Sequence, residues 1–297
     1  MKNYPLIKYN VLFFSLLFFS SCKKNYITYY NKVNEIDSTY RATNDPKQAI
    51  NEYRKLFKEY SPKNQERIQE YITYITLADQ YNENFGGKKS LYKLITLIAP
   101  NNNQYKKYLP LFNKYGIDNQ SVDQKIADWK KNLNKQLIDS FTVASARDQA
   151  GRPEDTALVR KNVEKNAELF IWTFKKYGFP SPQKIGTVGN DGNRFFISTL
   201  LTHMNESKKY YPYIKEKVLE YVKSGDCPPH DYALMCDAYM GINKKSTLYG
   251  FNNITVMDSA QANRNRKAIG IPNMKHSVMI RKDFFKKLKQ NDTHHIQ

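Results

Sequence analysis

Cysteine is scarce in this 297-residue chain: there are three, Cys22, Cys227 and Cys236. None stands in a zinc-finger spacing or where a nucleophile is expected. An oxidising compartment permits a bridge between Cys227 and Cys236. Yet Cys227 precedes a helix expected from Pro229 and Cys236 lies two turns inside it, a spacing that favours free thiols given the roughly 7 Å span of a disulfide. Acidic side chains are also few, 28 against 47 Lys and Arg, for a net charge of +19. Such a surface attracts polyanions. RNP-like aromatic strands and basic-region heptads are missing, so nucleic acid is not the expected partner. There is no Gly-x-Ser-x-Gly and no His-Glu-x-x-His. The glycines of residues 186–192 follow no strand and precede no Lys-Ser or Lys-Thr, so this segment reads as a surface turn and not a phosphate loop. His203 and Glu206 have the i, i+3 spacing of a metal-ligand pair, but a second pair is lacking, and neither metal nor cofactor is expected.

Long apolar runs are missing too. Behind the cationic Lys2 and Lys8, residues 11–19 are apolar apart from Ser15 and end in Phe19-Ser20-Ser21-Cys22. This is the layout of a secretory signal over residues 1–21, too short to cross a bilayer as a permanent helix, which takes about 20 residues. A cysteine directly after small residues resembles the lipobox of bacterial lipoproteins. The resemblance implies that Cys22 is diacylated and heads the mature chain, with residues 22–29 as a tether. Lys23-Lys24 supplies neither an Asp of the kind that retains some lipoproteins in the inner membrane nor an acidic export run. The expected address is therefore the cell envelope, at the outer membrane facing the periplasm. The expected partners are the membrane, through the lipid on Cys22, and an anionic ligand or envelope polymer.

Beyond the tether the apolar residues recur with the helical period, so the fold class is all-α. The 23 tyrosines read first as core and boundary residues. Asn44-Asp45-Pro46 and Ser61-Pro62 are start signals, each followed by an apolar stripe. A third helix follows Gly86-Gly87 and stops at Pro100, and a fourth covers 105–115. Residues 45–63 resemble one helix of a tetratricopeptide unit, but no second copy recurs near 34 residues. Residues 30–120 thus read as a small helical bundle. The lapse at Gly116 to Ser121 is the expected linker to a larger, mainly helical domain over 121–275. There, one long helix is expected over 122–150, then helices over 159–177, 195–204, 210–223, 229–240 and 259–269. Residues 276–297 read as a basic tail, frayed from Lys282 on.

Within 145–272 several motifs occur in a fixed order. They are Arg147-Asp148-Gln149 with Arg152, Tyr177-Gly178-Phe179-Pro180, Ile185-Gly186 with Asp191-Gly192, and Leu200-Leu201-Thr202-His203. Ala233 to Asp237, Leu248 to Asn252, and Asn263 to Arg266 with Gly270-Ile271 complete the series. Order and spacing resemble a bacterial domain-of-unknown-function family, number 6624. Phe179, Thr202, Ala238 and Phe251-Asn252 depart from the family's Trp, Gln, Arg and Thr-Gln. The resemblance implies architecture and candidate residues, and no reaction.

Those residues have chemistry of their own. His203 and Asp148 suit a general base and its orienting carboxylate. Arg152 and Arg266 are candidates to clamp a carboxylate or phosphate, with Gln149, Asp237, Tyr249 and Asn252 supplying orientation. The first expectation is an envelope-anchored lipoprotein whose C-terminal pocket binds an anionic ligand without turning it over. The alternative is a hydrolase or transferase using His203 with Asp148.

Overall fold

Asp45 opens its helix as the start signal predicts: its carboxylate accepts from Gln48 N at 3.0 Å and Pro46 takes the first helical position. The computed structural model describes residues 24–101, 104–251 and 258–293. The signal segment, Cys22 and Asn252 lie outside them. The described chain is all-α, with no strand and one isolated antiparallel bridge between Val188 and Arg194. No helix among the described residues is long and apolar enough to cross a membrane.

Six helices come first: α1 (Tyr26–Thr43), α2 (Pro46–Glu59), α3 (Glu70–Gln80), α4 (Gly87–Ile98), α5 (Leu109–Lys114) and α6 (Asn119–Lys131). Their apolar stripes meet in one cluster, with Tyr29, Tyr30, Tyr53, Ile75, Leu94 and Phe112 fully enclosed. Burying such side chains is the main favourable term of the fold, and the tyrosines contribute as core. A second cluster collects α7 (Lys135–Gln149), α8 (Thr156–Lys176), α9 (Pro182–Ile185), α10 (Ile197–His203), α11 (Tyr211–Ser224), α12 (Pro229–Lys244) and α13 (Ser259–Ile269). Cys227 and Cys236 are buried in it as free thiols.

Three expectations need correction. The start signal at Ser61-Pro62 opens no helix. Residues 61–69 are a loop held by the buried Glu70 carboxylate, which accepts from Asn64 N, Gln65 N and the Tyr29 hydroxyl at 2.9, 2.8 and 2.7 Å, and α3 begins only at Glu70. The long helix over 122–150 is two. Asn134 caps α7 by accepting from Leu137 N at 3.0 Å, while its own N–H is drawn to Lys184 O at 2.9 Å. Val122 and Ile126 of α6 belong to the first cluster, and Leu137 and Ile138 of α7 to the second.

The third correction is the tail. Residues 274–293 form α14 (Met274–Thr293), and Ile280 is buried in the first cluster. His276 Nε2 lies 2.7 Å from Asp37 Oδ2, both side chains enclosed; Arg41 donates to the same oxygen at 2.7 Å and also pairs with Asp283. Burial alone would raise the Asp37 carboxyl, but the hydrogen bonds from His276 and Arg41 outweigh it and hold it below the usual carboxylate range. Basic, polar composition alone reads this segment as a frayed tail; it is docked because His276 and Ile280 find partners on α1 and its neighbours.

Helix α1 also touches the second cluster. Asn31 and Asn34 donate to Lys267 O and Gly270 O, each at 3.0 Å. Gly270 ends α13 with φ +85°, and a Cβ there would lie 2.6 Å from Tyr30 Cβ, so both conformation and contact require glycine.

Candidate functional site

Asp148 lies in the last turn of α7, and His203 ends α10. Asn162 and Asn166 of α8, both buried, donate to the Arg147 and Ala144 carbonyls at 3.0 and 3.1 Å and fix that end of α7. His203 Nδ1 is then 2.7 Å from Asp148 Oδ2 and 2.8 Å from Oδ1. Gln149 Nε2 donates to Oδ2 at 2.7 Å. The Asp148 side chain is 1 % exposed and the imidazole 24 %. A carboxylate accepts only, so Nδ1 is the donor toward Asp148, and Nε2 is the acceptor in whichever state the ring carries a single proton. Nε2 makes no hydrogen bond among the described residues and is not among their enclosed polar atoms.

Arg152, in the turn after α7, donates from Nε to Asp148 O at 2.8 Å and from Nη1 to Glu206 Oε1 at 2.9 Å. Its Nη2 is enclosed, without a hydrogen-bond partner, 3.9 Å from Asp148 Oδ1. Glu206 was visible in the sequence only as a spacing from His203; its partnership with Arg152 needs the 151–155 turn to fold back, which no local pattern announces. The expected set therefore comes together in part: His203, Asp148, Gln149 and Arg152 converge, with Glu206 added. Two carboxylates face one guanidinium, a balance unsuited to holding an anion while the ring is neutral.

Asp237 and Arg266 do different work. The buried Asp237 on α12 accepts from Thr247 Oγ1, Leu248 N, Tyr249 N and Phe251 N at 2.5, 2.7, 3.0 and 2.9 Å. Arg266 on α13 donates to Tyr249 O at 2.7 Å and to Pro272 O and Ser277 Oγ at 2.8 Å. Together they pin the 247–251 turn, and the expected Arg152–Arg266 clamp is replaced by two separate networks. Tyr249 is buried against Tyr232, where burial raises its phenol.

Two titratable residues at the start of α12 had no signal in the sequence. His230 sits edge-on to Phe251, ring centroids 4.8 Å apart, and is pushed down to about 4 by burial and by Arg67 and Arg266. The Asp231 carboxyl is pushed up to about 7 by burial and by Glu66. Neither touches the His203 pair.

The turn over 186–194 is clipped to α7: Asn190 N donates to Thr142 Oγ1 at 3.2 Å and Gly189 N to Asn193 O at 2.8 Å. Its amides are thus occupied as a turn's are. Cavities of about 710 and 600 Å³ lie among the N-terminal helices, the larger also walled by α14, and neither is lined by His203, Asp148 or Arg152. Among the described residues no group of three or more His, Cys, Asp or Glu is placed to hold a metal ion. No family model, no curated protein and no solved structure matches the chain.

Proposed function

We propose that this chain is a lipid-anchored envelope protein whose chemistry belongs to His203 and Asp148, the acid/base pair of a hydrolase or transferase. One observation carries the reading: the Nδ1 edge of His203 rests on an enclosed carboxylate while the ring is a quarter exposed and Nε2 has no partner among the described residues. An imidazole so oriented accepts a proton at Nε2 and returns it, and the carboxylate stabilises the charge that forms. The reaction class stays at hydrolysis or group transfer because, among the described residues, the ring's hydrogen bonds run to Asp148 and to no Ser, Thr or Cys side chain. The order of motifs over 145–272 supports the same residues.

The test is turnover of chromogenic esters, phosphoesters and glycosides by the full chain, with His203→Gln alongside. Activity abolished in that variant, with its melt near that of the natural protein, is expected. Turnover unaffected by His203→Gln would remove the pair from the chemistry.

The anchor rests on the residues before Cys22. Cys22→Ala is expected to shift the protein from the detergent phase to the aqueous phase, and protease added to intact cells to leave the natural form uncut. An unchanged detergent fraction in the variant would overturn the lipid, and digestion on intact cells the periplasmic orientation.

A further inference from the structure

The groove of about 600 Å³ between α2, α3 and α4 carries a charge imbalance that the fold itself does not use. Its lining includes Arg54, Lys58, Lys89 and Lys93 against the carboxylate of Glu83. Arg54 is committed: it donates to Glu83 Oε2 at 3.0 Å, Asn84 O at 3.1 Å and Asn51 Oδ1 at 2.9 Å. That pair cancels. Lys58, Lys89 and Lys93 have no acidic partner among the described residues.

Lys89 and Lys93 are four residues apart on α4, so they share a face, an arrangement that costs helix stability. Both side chains line the groove, and burial with the neighbouring Lys89 pushes the Lys93 ammonium down. The floor is aromatic: Phe57 meets Tyr71 and Tyr74 edge-on, with centroids 5.1 and 5.4 Å apart, and Lys93 Nζ stands 5.9 Å from the Tyr71 ring. An apolar floor lowers the local dielectric and strengthens attraction for an opposite charge.

We propose that this groove binds a ligand carrying at least two negative charges on phosphate. Compact ammonium groups suit phosphate as point charges, and the guanidinium that would grip a planar carboxylate in bidentate fashion is already taken by Glu83. The site is separate from His203 and stands whether or not that pair is catalytic.

Calorimetric titration of the full chain with inorganic pyrophosphate at low salt tests it. One site per chain is expected, weakened at least tenfold by Lys89→Gln with Lys93→Gln and weakened by less than twofold by Lys130→Gln with Lys131→Gln, an exposed pair on α6. The groove variant should melt no lower than the natural protein because it removes a repulsion. If it melts lower, Lys58→Glu on α2 takes its place with the same tenfold expectation. A parallel titration with dihexanoyl phosphatidic acid separates the sources: tighter binding than pyrophosphate assigns a lipid headgroup, weaker binding a free phosphate compound. No binding of either probe, or equal losses in the two double variants, overturns the proposal.

Discussion

His203 Nδ1 stands 2.7 Å from one carboxylate oxygen of Asp148 and 2.8 Å from the other, so residues 55 positions apart join the ends of two helices. The two partners are not equivalent. Asp148 is enclosed and accepts from both Gln149 and His203, whereas the histidine keeps a quarter of its surface in solvent. Asp148→Ala leaves a part-exposed ring that water can satisfy and is expected to cost about 1 kcal/mol, whereas His203→Ala leaves an enclosed carboxylate short of a donor and is expected to cost about 2–3 kcal/mol. Denaturant melts of the two variants decide it. Equal, large losses would mark the pair as a structural strut.

Asp237→Ala should be worse than either. It strips an acceptor from three backbone N–H groups and the Thr247 hydroxyl at once, all around one buried carboxylate. About 3 kcal/mol or more is expected, since a buried donor left unsatisfied costs about 1–3 kcal/mol. A melt within two degrees of the natural protein would contradict this account of the 247–251 turn.

The Asp37 carboxyl is held below its ordinary value of 3.8. A carboxyl depressed in the folded state adds stability that is complete above its unfolded value and is lost as pH falls toward the folded one. The α1–α14 contact should accordingly loosen below about pH 4. Asp37→Asn is expected to cost about 3 kcal/mol at pH 7, because it leaves His276 and Arg41 without their buried partner. It should also flatten the stability loss between pH 5 and 3, measured by chemical denaturation at each pH. An undiminished acid slope would assign that slope to other carboxylates.

Gly270→Ala combines a left-handed φ with a Cβ placed against Tyr30. A loss of more than 1 kcal/mol is expected, about the scale of strain at such a position. Tyr30→Ala in the same background should not restore it fully, because the φ penalty remains. Thermal melts of single and double variants read both terms.

The all-α class was legible because apolar spacing is a local property, and Asp45-Pro46 marked its helix start to the residue. The His203–Asp148 pairing was legible only through motif order, since nothing local says that α7 and α10 meet. What escaped was decided by distant partners. Asn134 breaks a continuous helical pattern because Lys184 O is there to receive its amide, and Ser61-Pro62 fails as a start because Glu70 holds the preceding loop. Arg266 looked like a ligand clamp because a buried arginine that serves carbonyl groups and one that serves a substrate have the same sequence signature.

The pairing of Asp37 with His276 spans 239 positions, and Ile280 closes a core otherwise built before residue 127. A ribosome adding about 5–20 residues per second needs on the order of ten seconds or more to deliver that closing segment. During that interval α1 to α6 are complete in sequence but open on the side that α14 will cover. The first helices made are thus among the last to finish folding, and for the length of the delay their exposed apolar wall needs shelter from other chains.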